Sequence, residues 1–334
     1  MHRICRLAFK EYGDRTLPTL VLLMGLGMPS GAWPESLIRL LVQQGLHVIT
    51  PDNRDCGQSD FCSETVSFGS LVRSVAWYLC GGAVKAPYSI EDMAIDVEAF
   101  LNEQKLERVH IAGVSLGGMI AQAFAIRAPH RTVSLSCISA ATGNPRTGFG
   151  QFRAVRSILK NCAETDDSQI RYKRLTQLLK AIGSPGAHYS DVELARYMQV
   201  LKDGNVTQQS VRRQLMAVLA GGDRRSKLRQ LVVPTLVIHG QADPLLPVRA
   251  GQELAECVEG AKLLRIAGMG HELPECFIQT MGLALAKHCY RGVLRYLSRC
   301  FFSRAFSRRS LASFSIARFF FKRLRWSINT WPFK

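Results

Sequence analysis

The chain has 334 residues, 47% of them hydrophobic and 21% charged, so it can bury a core of one large or two ordinary domains and is not a disordered chain. Its 43 Lys and Arg against 26 Asp and Glu give +17, but unevenly: no acidic residue follows Glu275, and residues 276–334 hold 12 Lys and Arg. A mildly basic body thus precedes a strongly basic tail, and the charge says little about chemistry in the body. Ten cysteines are scattered with no Cys-x-x-Cys pair, which argues against a zinc site. The start, Met1 to Leu7, has no long apolar core, and scattered thiols suit a reducing cytoplasm, the compartment expected here.

In chain order, the first signal is a 19-residue uncharged stretch, Thr16 to Pro34. Its three glycines and three prolines exclude a membrane-spanning helix. Within it, Leu20 to Met24 reads as a buried strand ending in a glycine turn. Pro34 to Gln44 places Leu37, Ile38, Leu41 and Val42 on one helical face, stopped by Gly45. Leu46 to Ile49 is the next strand. Phe61 to Tyr88 is longer than an ordinary loop. Ser89 with Asp92 three residues on reads as a helix start, continued by Met93, Val97, Phe100 and Leu101. Val109 to Val114 is a strand, and Leu116 to Ile126 is a small, apolar helix suited to packing deep against a sheet. Val133 to Ile138, Thr235 to Ile238 and Lys262 to Ile266 are three more strands. Strand and helix alternating over short connections predict an α/β fold, a mostly parallel central sheet with helices on both faces. Thr142 to Leu231 interrupts this rhythm with amphipathic helices such as Gln169 to Ile182 and Val192 to Leu201. An insert of this kind is expected over the strand ends, as a cap. The domains expected are a core of residues 1–141 and 232–290, a helical cap of 142–231, and a tail of 291–334 outside the core.

Gly113-Val114-Ser115-Leu116-Gly117 matches G-x-S-x-G, directly after a strand and directly before a helix. A serine on so tight a turn has a strained backbone, and side chains two residues away would collide with the adjacent elements. The helix start also aims its free N–H groups at the site. A serine hydroxyl is a poor nucleophile at neutral pH and needs a base, itself oriented by an acid. Asp243 follows the strand that ends at Ile238, and His271 follows the strand that ends at Ile266. In a parallel sheet both emerge on the same edge as Ser115. Met24-Gly25-Leu26-Gly27 also follows a strand, so the N–H of Leu26 can join that of Leu116 as an oxyanion hole. His239, His47 and His110 lie in strands and read as structural. Asp52 and Arg54 are expected to fix their loop as a hydrogen-bonded pair.

These residues, with Asp52 to Ser59, Val237 to Pro247 and Gly268 to His271, give a chain that resembles the α/β-hydrolase fold enzymes from about Thr19 to His288, the helical insert aside. Asp52-Asn53-Arg54-Asp55 together with Met24 to Gly27 is similar to a bacterial subgroup of carboxylesterase-like hydrolases that includes the aclacinomycin methylesterases. Many members carry His where Met24 stands and Gly where Asp55 stands. The resemblance implies serine hydrolysis of a small-molecule carboxylic ester, a methyl ester among the candidates, without metal or organic cofactor. Thioester, lactone or C–C cleavage, or ligand binding without catalysis, remain open alternatives on the same fold. The tail, residues 291–334, holds 11 Lys and Arg and eight of the sixteen Phe. It is expected to be an appended segment, with weak contact to an anionic membrane as its alternative role and no nucleic acid as partner.

Overall fold

The structure, a computed structural model, describes residues 4–302. One compact unit ends at Gly292 and a second begins at Val293; the helix reaching Phe302 is what is described of the second. The greater part of the tail singled out above, residues 303–334, lies outside the described residues.

Seven strands form one sheet: β1 (Phe9–Tyr12), β2 (Thr19–Leu23), β3 (His47–Pro51), β4 (Val109–Val114), β5 (Thr132–Ile138), β6 (Thr235–Gly240) and β7 (Lys262–Ile266), in the order β1-β3-β2-β4-β5-β6-β7. All neighbours pair in parallel except β1, which runs antiparallel to β3 with Phe9 opposite Pro51. This edge strand was not foreseen, because Phe9-Lys10-Glu11-Tyr12 has two charges at its centre and no apolar alternation. Strand β2 shows how the two faces are filled. Leu20 and Leu22 join one apolar cluster with α1 (Glu35–Gln43) and α11 (Glu275–Phe302). Val21 and Leu23 join the other with α3 (Ile90–Glu103), α4 (Leu116–Arg127) and α10 (Val248–Cys257). The period of two sends alternate side chains to opposite layers, as a doubly covered parallel sheet requires.

Helix α3 begins with the expected capping box: the Asp92 N–H donates to Ser89 Oγ at 3.1 Å and the Ser89 N–H to Asp92 Oδ2 at 2.8 Å. Helix α4 is buried from Leu116 to Ala125, so it has no polar face to turn to water. The long segment after β3 contains α2 (Phe68–Leu79), opened by Ser67, whose Oγ accepts the Ser70 N–H at 3.0 Å. Between β5 and β6 lie α5 (Phe152–Cys162), α6 (Ser168–Ile182), α7 (Asp191–Asp203), α8 (Gln208–Ala220) and the short α9 (Arg225–Leu228). Arg224, buried, donates to the Ala141 carbonyl where the chain enters this helical stretch and to the Gly221 carbonyl where it leaves. Among the described residues no helix is long and apolar enough to cross a membrane.

From β2 the chain steps outward to β3, then crosses to β4 and moves outward the other way to β7. The reversal between β2 and β4 opens a crevice at the carboxyl ends of these strands, the position where open α/β sheets hold ligands.

Candidate active site

Ser115 follows β4 at that crevice with φ 54° and ψ −117°, a left-handed backbone that a non-glycine residue adopts only when its surroundings enforce it. The enforcement is steric. A Cβ on Gly113 would sit 2.2 Å from the Gly117 carbonyl carbon, and one on Gly117 would sit 2.0 Å from the Leu23 carbonyl oxygen. The Ser115 N–H donates to Ile138 O at 2.9 Å, which pins the turn to β5.

The structure brings the three side chains singled out in the sequence together. Ser115 Oγ lies 3.0 Å from His271 Nε2, and His271 Nδ1 lies 2.7 Å from Asp243 Oδ2. Asp243 is held in turn: its Oδ1 accepts the N–H groups of Leu245 and Leu246 at 2.9 and 2.8 Å. With Nδ1 donating to the carboxylate, the Nε2 lone pair faces the hydroxyl, the tautomer that can accept its proton. His271 and Asp243 are both buried.

The turn after β2 passes directly over the nucleophile candidate, with the Cβ direction of Gly25 3.5 Å from Ser115 Cβ. Among the described residues neither the Leu26 N–H nor the Leu116 N–H has a hydrogen-bond acceptor. Both residues line one cavity together with Ser115 and His271. The cavity holds about 1400 Å³ and runs up between α2, α5, α6, α7 and α8, past side chains such as Tyr78, Leu159, Leu175 and Val211.

The loop after β3 departs from expectation. Asp52 and Arg54 do not pair with each other. Asp52 accepts the N–H groups of Ser30 and Gln58 at 2.6 and 3.1 Å, filling the space beside Gly57. Arg54 instead forks onto Asp96 of α3 at 2.6 and 2.7 Å and stacks over the Tyr88 ring at 4.8 Å. Each carries its charge to a different neighbour, Asp52 to backbone N–H groups of the adjoining turns and Arg54 to the acid of α3, so neither is left for the other. Asp55 has φ 66°, a left-handed conformation that favours glycine. Three partners hold it there: Arg213 of α8, bidentate at 2.7 and 2.8 Å, the Tyr88 hydroxyl at 2.7 Å and the Cys62 N–H at 2.8 Å. Burial beside that carboxylate pushes the Tyr88 phenol well above its ordinary range.

Sequence reasoning missed Gln214. Buried in α8, it accepts the Gly27 N–H at 2.7 Å and donates to the Arg54 carbonyl at 2.8 Å, joining the turn after β2 to the loop after β3. Asn53 adds a bond to the Met24 carbonyl at 2.9 Å. The available signal was the polar run Arg212-Arg213-Gln214 directly before the apolar half of the helix, Leu215 to Ala220. Asp96 left a similar one, an acid on the face of α3 that carries Met93 and Phe100.

Of the three other histidines singled out in the sequence, two bond within the sheet and one lies beneath Asp243. His47 and His110 bond Thr19 and Ser134 at 3.0 and 2.8 Å within the sheet. His239 donates Nε2–H to the Leu246 carbonyl at 2.8 Å, beneath Asp243, and burial lowers its proton affinity. Among the described residues no cluster of three or more His, Cys, Asp or Glu could hold a metal ion.

Comparison with known proteins agrees with this architecture. The chain is 25% identical over 296 residues to rhodomycin D methylesterase DnrP of Streptomyces peucetius, covering 83% of this chain and 92% of that protein. It is 26% identical over 245 residues to a pimeloyl-(acyl-carrier protein) methyl ester esterase of Vibrio parahaemolyticus, covering 72% and 81%. The crystal structure of the enol-lactonase from Burkholderia xenovorans shares the fold, with TM-score 0.60 and 22% identity over 87% of this chain and 96% of that one. The alpha/beta hydrolase fold family matches residues 18–275, most of the chain, which is thus a hydrolase belonging to that family.

Proposed function

We propose that the chain hydrolyses a carboxylic ester through an acyl-enzyme on Ser115. The observation that carries this reading is the continuous relay from Ser115 Oγ through His271 to Asp243, at 3.0 and 2.7 Å. Ser115 Oγ attacks the carbonyl carbon as His271 Nε2 takes its proton, and Asp243 stabilises the imidazolium. The N–H groups of Leu26 and Leu116 donate to the oxyanion; one such donor is worth about 2.7–4 kcal/mol. The tetrahedral intermediate collapses, and His271 returns the proton to the departing alkoxide, which leaves as the alcohol. Water then attacks the acyl-enzyme carbonyl and gives a proton to His271, which passes it to Ser115 Oγ as the acyl–oxygen bond breaks, releasing the acid and restoring the Ser115 hydroxyl.

The relatives named as methyl ester esterases favour a methyl ester, a small leaving group on a larger acid. The cavity of about 1400 Å³ above Ser115 gives that acid room. In this reading residues 142–231 are the cap that shapes the acyl site. A fluorophosphonate probe should label wild type at Ser115, and Ser115→Ala should abolish both labelling and turnover of p-nitrophenyl acetate. Asp243→Asn should lower kcat about 10⁴-fold by leaving the wrong tautomer. Wild type that neither labels nor turns over any ester would end the proposal.

A further inference from the structure

Three hydrogen bonds splice the turn after α6 to the loop that carries His271. The His271 N–H donates to the Ile182 carbonyl at 2.8 Å. The Gly270 N–H donates to Ser184 Oγ at 2.8 Å, and the Ser184 N–H donates to Glu272 Oε1 at 2.7 Å. Residues before, at and after the histidine are therefore tied to one three-residue turn, Ile182 to Ser184. The fit is close: a Cβ on Gly270 would sit 2.4 Å from the Gly183 carbonyl carbon and 2.5 Å from the Ser184 nitrogen. On the sheet side, the loop is bonded at Met269, whose carbonyl accepts the Ala242 N–H at 3.0 Å. Past Met269, the N–H groups of Gly270 and His271 both turn to the helical insert.

That turn joins α6 and α7, and both helices line the cavity, through Leu175 and Leu179 on one and Tyr197 and Met198 on the other. A change in how these helices pack around an acyl group is thus transmitted to the backbone of His271. We propose that Ser184 is a positioning residue, which holds the His271 imidazole in line between Ser115 and Asp243 and couples its placement to the packing of the insert. The proposal rests on the reading of His271 as general base.

The variants separate the bonds. Ser184→Ala keeps the N–H that meets Glu272 and removes the oxygen that accepts from Gly270; Ser184→Thr keeps both. Glu272→Gln keeps an acceptor for Ser184, and Glu272→Ala does not. In the full chain, with p-nitrophenyl acetate, Ser184→Ala should lower kcat roughly 10- to 100-fold, the order expected for misplacement of a catalytic group. KM and Tm should stay near wild type. The downfield proton resonance of His271 Nδ1–H should broaden through faster exchange, and the acid limb of the kcat/KM profile should move. Ser184→Thr should restore all of these, and Glu272→Gln should fall less than Glu272→Ala. Wild-type kcat with a sharp resonance in Ser184→Ala overturns the proposal. So does a loss of kcat that follows Tm while the resonance stays unchanged, or one that threonine does not restore. His271→Ala distinguishes the two levels: if it keeps turnover, the general-base reading fails, whereas if it is inactive and Ser184→Ala is not impaired, this proposal alone fails.

Discussion

The cavity has a floor and a roof built from different materials. Its floor, the turn after β2 and the loop after β3, rests on directional bonds: Gln214 to Gly27 and Arg54, Asn53 to Met24, Arg54 to Asp96, and Arg213 to Asp55. Its roof has an apolar centre, with Leu175, Leu179 and Leu194 packed against Tyr172, Tyr197, Met198 and Leu201, and keeps its directional bonds to the ends of its helices, such as Arg174 to the Ala163 carbonyl and the Gly270 N–H to Ser184. Directional bonds fix donors to within a few tenths of an ångström, while apolar contacts tolerate repacking. The contrast matches the two tasks of the site. Under the proposed mechanism the N–H groups beside Ser115 need one fixed geometry, and the acyl side needs volume and shape.

The largest effect expected from breaking the floor is at Asp96. Asp96→Ala strands the buried Arg54 guanidinium, and loss of one partner of a buried pair costs about 3–5 kcal/mol, readable by urea denaturation. Gln214→Ala leaves the Gly27 N–H and the Arg54 carbonyl without their partner, at about 1–3 kcal/mol for each unpaired group. It should also lower kcat/KM on every ester tested, because it loosens the turn that carries Leu26. The sheet beneath both regions has its own signature. Burial pushes His110 from its ordinary 6.5 down to about 3, with the neighbouring His288 as a lesser cause. The unfolded chain takes up that proton near pH 6.5 and the folded chain only near pH 3. Its contribution to stability is therefore complete above pH 6.5, declines as pH falls, and costs about 2 kcal/mol by pH 5. His110→Asn should flatten that part of a stability-against-pH curve. The smallest effect belongs to the roof: Leu159→Val removes one methylene from the cavity wall and should cost about 0.5–1.5 kcal/mol of stability. Its signature is selectivity, shifting preference among acyl groups by up to about 1–3 kcal/mol in kcat/KM ratios, with the short acetyl ester little changed.

How much was legible in the sequence follows the same division. The strands from β2 to β6 announced themselves as short, mostly apolar runs that are almost wholly buried, and the edge strand β7 did so through Leu263, Leu264 and Ile266 although Lys262 and Arg265 are exposed. Ser115 was legible because its turn admits only glycine two residues to either side, and Asp243 and His271 because they follow successive strand ends. The edge strand β1 was not, since it packs Phe9 inward while Glu11 meets His47 across the strands. Helix α2 hid in an apparent loop because glycine and serines interrupt it. The partners Gln214, Asp96 and Arg213 reach the floor from helices remote in sequence. Asp96, between Ile95 and Val97, stands out locally only by being polar among apolar neighbours, and Arg213, flanked by Arg212 and Gln214, does not stand out even in that way.

At the root of the helical stretch, Arg224 grips carbonyls on both the outgoing and returning chain, and Glu253 of α10 gathers Thr142, Asn144 and Thr147 beside it. Departure and return thus share one anchorage on the sheet domain. The chain leaves and returns at one doorway, while Arg213, Gln214 and Ser184 tie the stretch to the loops around Ser115 and His271. A graft from another family member that keeps these three contacts should give a folded chimera with a new choice of acid.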